Sequence, residues 1–240
     1  MDLGLNGKRA LVLGSSQGIG AEIARVLARE GCNVYVGARR LDHIQSLADE
    51  LSEEFNVDAK AYSIDLSDGI SVEKLCEMIT HEWKIDILLN NAGGPPPSPS
   101  TGVPDEIWES SLQSLLMSTI RLSEAAVKGM RERGWGRILT VASSGVIQPI
   151  PNLAVSNTVR SAVVGFTKTL SNEVAKDGIT VNMVLPGRID TERLASIHEA
   201  SANKQGMTYE EFRDNSRSSI PARRFGTVKE FAEEAVFLMS

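Results

Sequence analysis

The sequence predicts an α/β fold: a single domain built on one doubly wound parallel sheet, with helices on both faces in three layers. Three observations carry this. Six short runs rich in aliphatic and β-branched residues alternate with longer segments of helical period. A glycine-rich turn directly follows the first run. Nothing in the composition of the 240 residues marks a linker or a second domain, and a chain of that length can bury a substantial single core.

The six runs are Arg9 to Gly14, Asn33 to Gly37, Ala59 to Ile64, Ile85 to Asn90, Arg137 to Ser143 and Thr180 to Leu185. Strands separated by helices imply right-handed crossovers, hence parallel pairing and a sheet covered on both sides. The helices fit this plan. Ile19, Ile23, Val26 and Leu27 fall on one face after the first run, and Val159, Ala162, Val163, Phe166, Leu170 and Val174 do so before the sixth. Both stripes read as core. Two segments break the rhythm. Gly94 to Ser100 holds three successive prolines, which exclude helix and sheet alike. Arg188 to Ile220 is polar and weakly periodic, and a last helix begins at Thr227. Ligands of open α/β sheets bind outside the carboxyl ends of the strands, so both segments are expected beside a substrate, with 188–220 as a lid.

The net charge of −6 comes from interspersed acids and bases with no basic run to track phosphates, which argues against nucleic acid. The first apolar run, Ala10 to Leu13, is too short for a signal peptide or a membrane span. Cys32 and Cys76 have neither redox nor zinc-site spacing, so no metal is expected. They read as reduced thiols of a cytoplasmic protein.

The turn Gly14-Ser15-Ser16-Gln17-Gly18-Ile19-Gly20 needs glycine where the backbone bends sharply and where it approaches a pyrophosphate. Its free amides and the helix end behind them hold the anion. Its spacing is G-x-x-x-G-x-G. Together with Asn90-Asn91-Ala92-Gly93 after the fourth run and Pro186-Gly187 after the sixth, it resembles the short-chain dehydrogenase/reductase family, from about Leu5 to the final residue. Within that family the sequence is most similar to the branch of β-ketoacyl-acyl-carrier-protein reductases. The resemblance implies a Rossmann-type sheet in which Gly14, Ser16, Gly18, Ile19 and Gly20 line the pyrophosphate and ribose of a nicotinamide dinucleotide. It places Asp65 and Leu66 at the adenine, Asn90 and Ala92 at its ribose, and Pro186, Gly187, Ile189 and Thr191 around the nicotinamide and phosphates. It also implies a seventh strand; the sequence ends before it, which reads as a truncation or a missing tail.

An acid at the end of the second strand would bind the ribose hydroxyls of NAD, whereas an arginine there pairs with the 2′-phosphate of NADP. Ala38 stands at the acid's place and Arg39 follows, which favours NADP(H) over NAD(H). Gln17 replaces the second basic residue of many NADP-binding relatives.

In the resembled family a tyrosine, and a lysine four residues later, move the proton, and a serine polarises the carbonyl. Here the pair falls at Ser156 and Arg160, and the serine is Ser143 with Ser144 beside it. The helix asparagine that anchors a relay water falls at Leu115. A serine hydroxyl is too short and too weakly acidic to act for a phenol. Arg160 can place charge near the nicotinamide ribose but cannot be a general acid near neutral pH. Alternative proton sources are His198 or Tyr209 in the lid, or a water held by Ser143 and Asn157.

Three functions follow. The first is an NADP(H)-dependent oxidoreductase acting on a small-molecule carbonyl or alcohol with an atypical proton source. The second is a catalytically impaired dinucleotide-binding protein, a sensor or a partner subunit. The third is a non-redox dehydration or isomerisation. The lid carries Arg193, His198, Arg213 and Arg217 but also Glu199, Glu210, Glu211 and Asp214, and so points to no one charge class of substrate. A homotetramer is expected, or a dimer without the seventh strand. It would pair helices at about 105–133 and 156–177, because Trp108, Leu112, Leu115 and Leu116 exceed what one sheet face covers.

Overall fold

The computed structural model describes residues 1–240. Six strands form one sheet: β1 (Arg9–Leu13), β2 (Asn33–Ala38), β3 (Ala59–Ser63), β4 (Ile87–Asn90), β5 (Gly136–Val141) and β6 (Ile179–Val184). Their order is β3-β2-β1-β4-β5-β6 and every pairing is parallel. The order in which successive strands are added across the sheet reverses between β1 and β4, opening a crevice at their carboxyl ends. The central strands β1, β4 and β5 are buried on both faces, so they read as continuous apolar runs rather than alternating ones, whereas the edge strand β3 is only partly covered.

On one side, α1 (Gly18–Arg29), α2 (Leu41–Phe55) and the final helix pack with β1 and β2 around Ile23, Leu27, Ile44, Leu51 and Val36. On the other, α3 (Gly69–His81), α5 (Ser118–Arg133) and α6 (Ala154–Val174) enclose Leu11, Leu75, Leu88, Leu122 and Val174. The stripe expected on α6 holds at Val159, Val163, Leu170 and Val174. Ala162, however, is exposed and Thr167 takes an inward place, because a 3.6-residue period turns Ala162 toward solvent.

Four features differ from the sequence reading. Ser143 lies two residues past β5, capping a 3-10 turn (Ser144–Val146), because the ladder with β6 ends at Val141. The proline segment still makes one parallel bridge, with the Ser98 amide donating to Asn152 O at 2.9 Å and the Ala154 amide to Ser98 O at 3.1 Å. A serine between prolines keeps the N–H that they lack. The lid is two helices, α7 (Glu192–Gln205) and α8 (Tyr209–Ser218). Capping at Thr191 and a Thr208–Glu211 capping box start them despite their weak apolar period. Thr227 caps the last helix, α9 (Val228–Phe237), through a second such box with Glu230.

The fourth concerns the helix before α5. Here α4 (Asp105–Ser111) runs into a π-helical turn, Leu112–Met117. Trp108, Leu115 and Leu116 pack against Val155 and Val159 of α6 within the chain, and only Leu112 of the four is exposed. The apolar surplus expected at a subunit interface is therefore mostly consumed internally. No helix is long and apolar enough to cross a membrane.

Candidate active site

The glycine turn is built as a cradle. Gly14 and Gly18 adopt φ of +61° and +60°, where side chains are strained. A Cβ on Gly14 would stand 2.7 Å from Asn91 O, and one on Gly20 would run into the Gly14 carbonyl. The Asn91 amide ties the turn to the end of β4, donating to Leu13 O and Gly14 O at 3.2 Å each. Behind the turn, α1 starts at Gln17 without a side-chain cap and without an acid in its first turn. Its free N–H groups and dipole face the space the glycines keep open, which suits a pyrophosphate.

The other predicted residues converge on this crevice. Thr191 caps α7 and lies 3.6 Å from the position a Gly18 Cβ would take, so the segment after β6 closes over the glycine turn. Ile189 is fixed by a bridge to Gly226. Pro186 and Gly187 follow β6 after one residue, Leu185. Ser67 donates to Asp65 from both its amide (2.9 Å) and its hydroxyl (2.6 Å), and these bonds hold the carboxyl below its usual range. Leu66, Asn90 and Ala92 line a narrow cavity with Leu115, Thr140 and Arg160. In that region Asn90 Oδ1 and Thr140 Oγ1 are buried without a hydrogen-bond partner.

At the end of β2, Arg39 is exposed, and its charge contributes to the lowered pKa of Asp65. Arg40, which the choice of Arg39 for the 2′-phosphate left without a role, donates to Ser16 Oγ at 3.4 Å and to Gln17 Oε1. It thus stands over the glycine turn itself. Two adjacent arginines at a strand end, with Gln17 where a second basic residue was missed, were the available signal.

Ser156 and Arg160 lie four apart on one face of α6. Ser156 is buried. Arg160 keeps some solvent contact, but its guanidinium reaches under the sheet edge and donates from Nη1 to Val141 O at 2.9 Å. Burial, aided by the charge of Arg193, pushes its pKa down to about 10, so it remains a cation at neutral pH. Ser143 Oγ accepts from the Gly145 amide at 3.1 Å, leaving its own O–H free to donate.

The alternative proton sources fare differently. His198 is buried inside the lid, bonded to Ser216 Oγ at 3.1 Å and packed on Phe212 and Phe225; it does not line the cavity. Tyr209 Oη accepts from Arg213 on the same helix. Asn157 ties the start of α6 to the preceding loop, donating to the Ile150 carbonyl at 2.9 Å and accepting from the Ile150 N–H at 3.4 Å. At Leu115 the π-helical turn presents hydrocarbon, and the Leu115 carbonyl accepts from Thr119 Oγ1 at 2.7 Å. No group of three or more His, Cys, Asp or Glu side chains could hold a metal ion.

A family model described as short chain dehydrogenase matches residues 8–202. The chain belongs to the short chain dehydrogenase family. Among its relatives is the 3-oxoacyl-[acyl-carrier-protein] reductase of Escherichia coli, 33% identical over 241 residues, covering 99% of this chain and 92% of the relative. L-sorbose reductase from Gluconobacter frateurii, solved with NADPH and L-sorbose, superposes with a TM-score of 0.93 at 33% identity, covering 100% of this chain and 92% of that one. A variant of actinorhodin polyketide ketoreductase with NADPH gives a TM-score of 0.90 at 34% identity, covering 98% and 90%. The single parallel sheet with flanking helices is the architecture of these short chain dehydrogenases.

Proposed function

We propose that this short chain dehydrogenase is an NADP(H)-dependent oxidoreductase that reduces a small-molecule carbonyl or oxidises an alcohol, with a proton source other than the tyrosine typical of its family. The observation that carries the reading is Arg160. Its guanidinium is held at the carboxyl end of β5 by Val141 O, two residues before Ser143 and beside a cavity lined by Asn90 and Ala92. A scaffold with no charge to stabilise gains nothing from a desolvated cation there. The NADPH-bound relatives and the two arginines after β2 support the choice of cofactor.

Gly14, Ser16, Gly18, Ile19 and Gly20 would hold the pyrophosphate side. Arg39 and Arg40 would hold the 2′-phosphate, with Asp65, Leu66, Asn90 and Ala92 along the adenosine half. Pro186, Gly187, Ile189, Thr191 and Arg160 would frame the nicotinamide half. When bound, the dinucleotide supplies or accepts hydride. The chain's own part is electrostatic: the free O–H of Ser143 donates to the carbonyl oxygen, and Arg160 offsets the negative charge that grows there. Removing one such donor typically costs about 10² to 10³ in rate. None of the side chains lining the cavity beside Arg160 is a Tyr, His, Cys, Asp or Glu, which favours water as the proton donor in this reading.

That same lining favours a second reading, a dinucleotide-binding protein without turnover that serves as a sensor or a partner subunit. NADPH oxidation against a panel of ketones, aldehydes and oxo acids separates the two. Turnover abolished by Ser143→Ala, with NADPH still bound, supports the first. NADPH binding with no turnover of any carbonyl supports the second.

A further inference from the structure

Two guanidiniums enter the crevice from opposite walls. Arg160 comes from α6 and is anchored on Val141 O. Arg193 comes from the first turn of the lid helix α7 and donates from Nη1 to Gly94 O at 3.4 Å. They meet at Gly94, just past the end of β4. A Cβ on Gly94 would stand 2.5 Å from Arg193 Nη2 and 3.8 Å from Arg160 Nη2, so both forks lie on the same side of that glycine.

Neither arginine has a carboxylate within 4.0 Å. The ion pairs of the lid are made elsewhere: Arg213 with Asp190, Arg217 with Asp214, Arg224 with Glu230. Burial lowers the pKa of Arg160 and, less fully, that of Arg193, whose side chain still meets solvent at the lid, and the charge of Arg193 lowers that of Arg160 further. Two like charges brought together in a partly desolvated site without a counter-ion are unfavourable unless an anion completes the site. Phosphate is provided for elsewhere, at the uncapped start of α1 and at Arg39 and Arg40. The pair at Gly94 lies instead past the ends of β4 and β5, where Arg160 is anchored and the segment bearing Ser143 begins.

We infer that Arg160 and Arg193 form a clamp for a carboxylate, and that the substrate is an oxo acid or hydroxy acid whose carboxylate lies close to the reacting carbon. Planar guanidinium forks match carboxylate oxygens two at a time, a geometry that a lysine at either place would not supply. The inference rests on the oxidoreductase reading for the word substrate, while the clamp itself can be measured without turnover.

The test titrates acetoacetate and 2-oxobutanoate, and their methyl esters, calorimetrically into the protein saturated with NADP⁺, a complex in which reduction cannot proceed. At least one acid is expected to bind about 10- to 100-fold tighter than its ester. Arg193→Gln should erase that preference while leaving NADP⁺ affinity and melting temperature near those of the wild type, and Arg193→Lys should restore only part of it. Equal binding of acid and ester, no measurable binding of either acid, a preference that survives Arg193→Gln, or an equal loss of NADP⁺ affinity in that variant each overturns the clamp. The two readings fail separately. A retained acid preference without turnover of any carbonyl by NADPH removes the oxidoreductase reading alone, whereas turnover of acids and esters with equal binding removes the clamp alone.

Discussion

Removing the arginines after β2 tests the choice of cofactor. Arg39 is exposed with its side chain committed to no acid, whereas Arg40 already donates to Ser16 and Gln17 on the glycine turn. A charge-assisted bond to a 2′-phosphate is worth about 1.5–3 kcal/mol, or one to two decades in affinity. Exposure to solvent and salt places Arg39 toward the lower end of that range. Arg39→Ala should therefore weaken NADP⁺ by about tenfold at low ionic strength, less at high salt, and leave NAD⁺ unchanged. Arg40→Ala should cost less in NADP⁺ binding alone, because Arg40 exchanges existing neutral partners for the phosphate. The double variant should bring the two dinucleotides close to equal affinity. Isothermal titration of both cofactors at two salt concentrations reads this directly. Equal affinities in the wild type, or a gap unmoved by the double variant, would refute the assignment of these side chains to the 2′-phosphate.

Restoring the family's acid by Ser156→Tyr with Arg160→Lys should create or raise reduction of simple ketones. A positioned acid contributes about 10² to 10⁴-fold, and an equally inert double variant of unchanged melting temperature would sink the oxidoreductase reading. Gly20→Ala should abolish tight NADP⁺ binding, since its methyl group meets the Gly14 carbonyl and lies 2.8 Å from Asn91 Nδ2; wild-type affinity in a titration would show that the turn can open. His198 has its pKa lowered by burial and by the nearby Arg213 and Arg188, so the folded lid favours the neutral ring. Stability should be full above the ordinary value near 6.5 and decline as pH falls below it, and thermal melts of His198→Gln should lose part of that acid-side decline. Sedimentation should show a homotetramer, or a dimer; a concentration-independent monomer would show that the exposed Leu112 and Val164 have no partner.

The strands, the glycine turn and the helices were legible in the sequence because each follows from rules that act over a few residues. Apolar runs bounded by turns make buried parallel strands, and Gly14 and Gly18 occur where φ must be positive. The spacing from Ser143 also located Ser156 and Arg160 on a common helix face. Less was legible where capping outweighs apolar period, as in α7 and α8, or where a single hydrogen bond decides, as at Ser98. The pattern of Trp108, Leu115 and Leu116 could not say whether a partner subunit or α6 would cover them.

By itself, then, the sequence determined the order of elements, the glycine turn after β1 and the placing of Ser156 and Arg160 one helical turn apart, all encoded in neighbours along the chain. Only the tertiary structure decided that Arg40 lies over Ser16 and Gln17, that His198 is enclosed by Ser216, Phe212 and Phe225, and that Arg193 meets Gly94 and Arg160. The last of these joins residues 99 positions apart. The physical reason is the parallel sheet: its crossovers return every strand's carboxyl end to the same edge, so distant side chains become neighbours there, and which of them find a counter-charge depends on packing that no local pattern records.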